Sequence, residues 1–229
     1  MATYFNIVRP LTLSGHELDH LLALGWYRMH QMIFTTSHLD ADQLHPVHWL
    51  RFEVPLLPLV RSHRKILSRN RTFEIMVEDV QHIRPEYSLL HQRYFDSITF
   101  DGAPSIQNCL FGDDLPGQSI YQTKCISVWD GEKVIAVGYF DVGENSAASI
   151  LHFYDPAYSR YSLGKYLILL TLEYLKKQGY RYYYPGYVIE TLPKMDYKLF
   201  LGRQEAWYFD ADTTTWLPFQ AGIINHRYG

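Results

Sequence analysis

Apolar positions in this chain follow two spacings, and the change from one to the other marks out the elements. From Leu163 to Leu175 the sequence is apolar on almost every side of a helix, through Tyr166, Leu167, Ile168, Leu169, Leu170 and Leu172. Such a helix is buried over most of its surface. The pattern predicts a helix over 162–178, with Gly179 as its C-terminal stop. Apolar runs on both sides, 147–154 and 180–189, read as strands. Asp155-Pro156 ends the first, because proline removes a ladder donor. The unit is strand, turn, helix, strand. Upstream, residues 3–8 and 26–35 read as strands. Ser14 and Glu17 form a capping box ahead of a helix stopped by Gly25. A strand over 47–54 ends at Pro55. A helix over 61–71, a strand over 72–80 and a helix beginning near Pro85 follow. Residues 101–118 are rich in Gly and Pro and read as a mobile loop. Asp130-Gly131 marks a hairpin between 121–129 and 134–140, and a second hairpin spans 206–219.

Composition narrows the class. At 229 residues with 47% apolar content, the chain holds one large domain or two small ones, with a full core. Net charge is −3, so any nucleic-acid contact needs a local patch. The two cysteines, Cys109 and Cys125, suggest no disulfide framework and fit a reducing, cytoplasmic compartment. No signal peptide and no membrane-spanning run is visible. Nineteen tyrosines fit half-buried strands, a wet pocket or base stacking.

Three places carry candidate chemistry. At the start of the 162–178 helix, Arg160, Ser162, Gly164 and Lys165 stand where free N–H groups and the helix dipole favour an anion. An ordinary capped helix is the equal alternative. The segment SHLDADQLHPVHW gathers His38, Asp40, Asp42, His45 and His48, which are zinc-ligand types, although a loop with scattered histidines is the preferred reading. The segment RSHRKILSRNR carries Arg61, Arg64, Lys65, Arg69 and Arg71 and no acid. It fits contact with phosphates in preference to a solvated helix face.

From residue 60 the order is helix, strand, helix, hairpin, strand, helix, strand, hairpin. An antiparallel meander leading into a parallel crossover makes a mixed sheet of the α/β (α+β) class. It is the arrangement of the GNAT acyltransferase fold, where the acyl donor sits between two parallel strands that splay apart. Within it, FYDPAYSRYSLGKYLIL, YYYPGYVI and MDYKLFLGRQE resemble the C-terminal half of the arginyl-tRNA–protein transferase family. That family includes a bacterial branch passing leucine to proteins that begin with Asp or Glu. The similarity runs from Phe153 to Glu205 through Asp155, Pro156, Ser162, Gly164, Gly186, Tyr197 and Lys198. Upstream, Arg61, Arg64 and Arg69 resemble the family's basic segment, and Tyr94 with Asp101-Gly102 is also similar. Two departures stand out. The family's cysteine cluster falls in SHLDADQL, which has no cysteine, so a cysteine-held metal or iron–sulfur centre is excluded there. Pro185 stands where the family has leucine.

The resemblance implies an aminoacyl-tRNA–protein transferase that moves Arg or Leu from tRNA to the α-amine of a protein N-terminus. Its partners are aminoacyl-tRNA and protein or peptide N-termini, with no cofactor, metal or membrane. Residues 1–58 would be an N-terminal α+β region and 59–229 a GNAT-like aminoacyltransferase domain. Ester-to-amide exchange is downhill, so the enzyme positions reactants, removes a proton and stabilises an oxyanion. The catalytic candidates are Asp155, Tyr154 and Glu205, with Asp155 receiving an ammonium or relaying its proton. Ser162, Gly164 and Arg160 would take the terminal nucleotide. Tyr187 and Tyr197, with Tyr154, would stack on its adenine or line the aminoacyl pocket. Lys198 would bind a phosphate or an acidic first residue, and Arg61, Arg64, Lys65, Arg69 and Arg71 would hold tRNA. Structural alternatives stand beside these: Asp155 as a turn cap, Tyr154 and Tyr187 as plain strand residues, Lys198 and Glu205 as a surface ion pair, and the Arg64 and Arg69 stems packed on the core. Two rival functions remain. One is a CoA-dependent acyltransferase, against which Tyr166 stands where a pyrophosphate loop needs a small residue. The other is a non-catalytic binder of tRNA or N-termini.

Overall fold

The computed structural model describes residues 4–40, 44–99, 102–112, 119–189 and 193–219. The chain opens with β1 (Phe5–Val8), α1 (Gly15–Ala23), β2 (Tyr27–Met29), β3 (Met32–Thr36), β4 (His38–Asp40) and β5 (Leu44–Glu53). Both bonds of the Ser14–Glu17 capping box are made. The single strand expected over 26–35 is folded in two. His30 takes a φ of 56°, and Tyr27 returns to face Phe34. Alternation continues across so tight a turn, so the pattern hides it. The SHLDADQL segment is not an open loop over its described residues: β4 and β5 pair as a hairpin. Asp42 lies outside the described residues, and among those described no three His, Cys, Asp or Glu converge on a metal position.

The middle of the chain forms α2 (Arg61–Asn70), β6 (Glu74–Asp79), α3 (Pro85–Ser97) and α4 (Ile106–Phe111). Helix α4 falls inside the stretch expected as loop. Ser105 caps it by accepting the Asn108 N–H at 2.9 Å, and Ile106, Leu110 and Phe111 are buried. Then come β7 (Thr123–Asp130), β8 (Lys133–Val142), β9 (Ser146–Tyr154), α5 (Leu163–Gln178), β10 (Tyr182–Ile189), β11 (Ala206–Asp210) and β12 (Thr215–Pro218). The β7–β8 turn sits one residue later than expected, because Asp130 pairs with Lys133 and Gly131 carries the positive φ.

Strands β1, β3 and β2 make a small sheet. The larger one runs β12-β11-β5-β10-β9-β8-β7-β6, with β4 beside β5. Its pairings are antiparallel except β9 with β10, which α5 joins as a crossover. The architecture is α+β with a mixed sheet. Strand β5 comes from the N-terminal segment and lies between β10 and β11. On one face α5 and α2 pack over a cluster that includes Leu50, Phe140, Leu167 and Tyr183. On the other, α3 and α4 cover Val137, Tyr139 and Phe153. Strand β8 is buried from Val134 to Val142, as a strand covered on both faces must be. A fully buried Leu contributes roughly 1.5–3 kcal/mol, so α5 is held by its packing. Among the described residues no helix is long and apolar enough to cross a membrane.

Candidate active site

The parallel pair β9–β10 keeps register only from Tyr182↔Ser146 to Tyr184↔Ala148. Next comes Pro185, which has no N–H to donate. Gly186 then takes a φ of 101°, open to glycine and costly for other residues. There the register of β10 on β5 shifts. Strand β10 swings away, while β9 continues to Tyr154 along β8. Two adjoining cavities of about 540 and about 600 Å³ lie at this parting. They share Leu151, His152, Met195, Tyr197 and Lys198 as walls.

Lys198 comes from the 3-10 segment Pro193–Leu201. Its Nζ donates to the Tyr187 carbonyl at 2.6 Å and lies 5.1 and 5.6 Å from the ring centres of Tyr187 and Tyr197. Among the described residues no carboxylate pairs with it. Burial lowers its pKa to about 8. His152 faces Gly138 across β8–β9, where any Cβ would come within 2.8 Å of the imidazole. Its Nε2 is sealed without a hydrogen-bond partner. Burial, then the charge of Lys198, lowers its pKa to about 4, so the ring is neutral at pH 7. Arg28, His152, Lys165 and Lys198 line these cavities, yet no Asp or Glu does among the described residues.

The second cavity opens at the start of α5. Ser162 takes a left-handed φ of 56°, and Tyr154 leans over Gly164, whose Cβ, were there one, would lie 3.3 Å from the ring. Tyr94 stands 5.2 Å from Tyr154, ring to ring. Tyr154, Ser162, Gly164, Tyr197 and Lys198 are thus brought together, and Tyr187 joins them through the first cavity. Arg160, Asp155 and Glu205 line neither. Asp155 accepts the Ala157 N–H at 3.0 Å and faces Lys133 at 2.8 Å and Arg93 at 3.7 Å. Burial alone would raise its pKa, but Lys133, the Ala157 bond and Arg93 outweigh it and hold the carboxyl below its ordinary value. This geometry is that of the turn-cap alternative. Glu205 folds against Gly202, and the Lys198–Glu205 ion pair, the structural alternative for both residues, is absent among the described residues. Arg160 turns its guanidinium to the Tyr161 hydroxyl at 2.9 Å.

The basic segment is a helix with two faces. His63 Nε2 lies 2.9 Å from the Phe200 carbonyl, and Asn70 donates to the Tyr161 carbonyl at 3.0 Å. These fix one face of α2 on the protein. Arg61, Arg64, Lys65, Arg69 and Arg71 are all exposed. Arg69 donates to the Arg160 carbonyl at 2.7 Å, which sets the basic face beside the turn into Ser162. Tyr166 corrects one expectation. It is 2% exposed and packs in the core, so it does not obstruct the start of α5 against CoA.

Residues 85–207 match the family described as "Arginine-tRNA-protein transferase, C terminus". The chain belongs to this family. It is an aminoacyl-tRNA–protein transferase. The aspartate/glutamate leucyltransferase of Shewanella sp. (strain MR-4) is 28% identical over 197 residues, 84% of this chain and 79% of that protein. The protein of the same name from Shewanella oneidensis is 31% identical over 202 residues, with the same coverage. The solved structure of L-PGS from Bacillus licheniformis aligns at a TM-score of 0.46 and 10% identity, over 75% of this chain and 50% of that one, too loosely for argument. The transferase's walls also hold residues the sequence reading missed. His152 carried a signal, lying two places from Tyr154 on one strand and so on its face. Met195 opens the MDYKLFLGRQE stretch of the resemblance, two places from Tyr197, whereas Trp49 arrives from a distant segment and carried no signal.

Proposed function

We propose that this transferase moves leucine from leucyl-tRNA to the α-amine of proteins that begin with Asp or Glu, in a GNAT-like site where β9 and β10 part. The observation that carries this reading is the charge of the walls. Among the described residues no carboxylate lines the cavities, and Lys198 has no acidic partner. An arginyl group would bring a guanidinium among walls without a counter-charge, and an unpaired buried charge costs several kcal/mol. A leucyl side chain brings none, and an acidic first residue meets Lys198. The names of the related leucyltransferases agree with this donor and acceptor.

In the reaction the amine attacks the ester carbonyl. A C–N bond forms, the C–O bond to the tRNA 3′ ribose breaks, and the ribose hydroxyl leaves with a proton. His152, held neutral, orients the attacking nitrogen as a hydrogen-bond partner, and the proton passes from that nitrogen to the leaving ribose oxygen. Tyr154, Ser162 and Gly164 receive the terminal nucleotide, with Lys165 and the open N–H groups of α5 toward its phosphate. Tyr197 lines the aminoacyl pocket, and Tyr187 stands on the wall of the first cavity. Arg61, Arg64, Lys65, Arg69 and Arg71, with Arg160 beside them, hold phosphates further along the acceptor stem. Asp155 and Glu205 shape turns. Residues 1–58 form the N-terminal region and 59–229 the transferase domain, with β5 lent by the first to the sheet of the second. The cytoplasm, where tRNA is charged, is the compartment.

A transfer assay tests the reading, with labelled leucyl- and arginyl-tRNA and peptides beginning with Asp, Glu, Arg or Lys. Leucine is expected on the Asp and Glu peptides. Arginine transfer, or leucine on the basic peptides alone, overturns it. Acetyl transfer from acetyl-CoA to the same peptides without tRNA returns the site to CoA chemistry.

A further inference from the structure

The first cavity runs on from Lys198, away from the start of α5. We infer that it is the subsite for the second residue of the acceptor and that it selects an apolar side chain, aromatic above all. The inference rests on the donor and acceptor proposed above. The second cavity opens beside Ser162 and Lys165, next to the basic face of α2, so the charged end of the tRNA fills it. Lys198 stands on the wall common to both, where the acidic first residue meets its charge. The first cavity is the space then left for the residue that follows.

Its far walls are aromatic. Tyr27 stacks on Trp49 at 4.0 Å, Phe34 meets Trp49 edge-on at 5.5 Å and Tyr187 does so at 5.0 Å. Met29 lies among them. Two polar groups of this cavity, Arg28 and the His30 ring, are already engaged. Arg28 donates to the His30 carbonyl at 2.8 Å, to Thr123 Oγ1 at 3.0 Å, to Asp141 at 2.7 Å and to the Leu110 carbonyl at 2.6 Å. His30 Nδ1 lies 2.6 Å from the Asn108 carbonyl. A polar second residue would lose its water at a wall of rings where Arg28 and His30 are already taken, and a charged one would lose more. A ring gains burial and edge-to-face contacts.

The test is competition for leucyl-tRNA among peptides Asp-Xaa that share one remaining sequence, with Xaa as Phe, Leu, Gly, Lys or Asp. The expected kcat/KM for Phe exceeds that for Gly by about tenfold, the yield of a few buried methylenes, and Lys and Asp fall below Gly. In Phe34→Ala the Phe-to-Gly ratio shrinks toward one. Both peptides meet the same preparation, so loss of folded enzyme scales both rates and leaves the ratio unchanged. Transfer at equal efficiency to Phe, Gly and Lys peptides overturns the subsite. So does a Phe preference that Phe34→Ala leaves intact. Transfer to none of the peptides overturns the donor and acceptor reading itself, and the subsite falls with it.

Discussion

Among the cations that line the cavities of this transferase, Arg28 and Lys198 are treated by the fold in opposite ways. Arg28 is 2% exposed and its partner Asp141 1%. Every arm of its guanidinium is engaged, and it lies 4.3 Å over the Tyr121 ring. Among the described residues Lys198 makes one side-chain hydrogen bond, to a carbonyl, and meets no carboxylate. Desolvating a charge is costly, and a built-in partner offsets the cost while an absent one does not. Arg28 therefore serves the architecture, tying β2 to α4 and β8. Lys198 stands without a carboxylate among the described residues, and under the reading proposed above its counter-charge is the acidic first residue of the acceptor.

Each substitution below pulls these two environments apart or together. The largest effect is expected at Arg28→Met, which leaves Asp141 buried and unpaired. Urea denaturation should show a loss of about 3–5 kcal/mol, and adding Asp141→Leu should restore most of it. Lys198→Met should do the reverse. Stability holds or rises, while kcat/KM for an Asp peptide falls about 100-fold, as when one oriented donor is removed. A stability loss matching that of Arg28→Met would make Lys198 structural too.

The pH profile sharpens the contrast. Burial lowers the Lys198 pKa to about 8, so its charge is full below that pH and lost above it. Transfer to acidic acceptors should fall about tenfold per unit beyond the limb, with Lys198→Arg moving the limb upward. An unchanged profile in that variant would detach the limb from Lys198. At the outer surface, Arg64→Gln with Arg69→Gln should reduce the slope of log tRNA affinity against log salt by about 2, at unchanged kcat under saturating tRNA.

The smallest effect is expected at Asp155→Ala, which removes a turn cap and costs about 1 kcal/mol. The Asp155 pKa is lowered in the fold. Its contribution is therefore present above the ordinary carboxylate pKa and lost as pH falls through the folded value. A transfer loss far beyond that in stability would return Asp155 to the chemistry.

The motif stretch was legible where side chains act close to their own place in sequence. Tyr154, Ser162, Gly164 and Lys198 belong to FYDP, the turn after it and DYK, and all four reach the cavities. Asp155 belongs to the same stretch, yet its neighbours Lys133 and Arg93 come from β8 and α3, and they decide its role. His152 carried only its place on the face of Tyr154 in sequence, and Gly138 across the ladder and Lys198 across the gap gave it its interest. The hairpin at His30 was hidden because alternation does not record a change of direction. Helix α4 was hidden because six residues are too few for a period to show.

What the sequence by itself determined is local. Periodicity, the Ser14 cap, the Gly179 stop and the Asp155-Pro156 break set the helices and strands, because those signals act within a few residues. The basic face of α2 was also written there, since no acid interrupts it. The tertiary structure alone decided which charges are answered. Arg28 and Asp141 stand 113 positions apart and meet only when β2 docks beside β8. The cavity exists because β10 leaves β9 at Pro185-Gly186 to follow β5. Whether a buried charge has a partner is a property of the packed fold, since the low-dielectric interior that gives the partner its value forms only on folding.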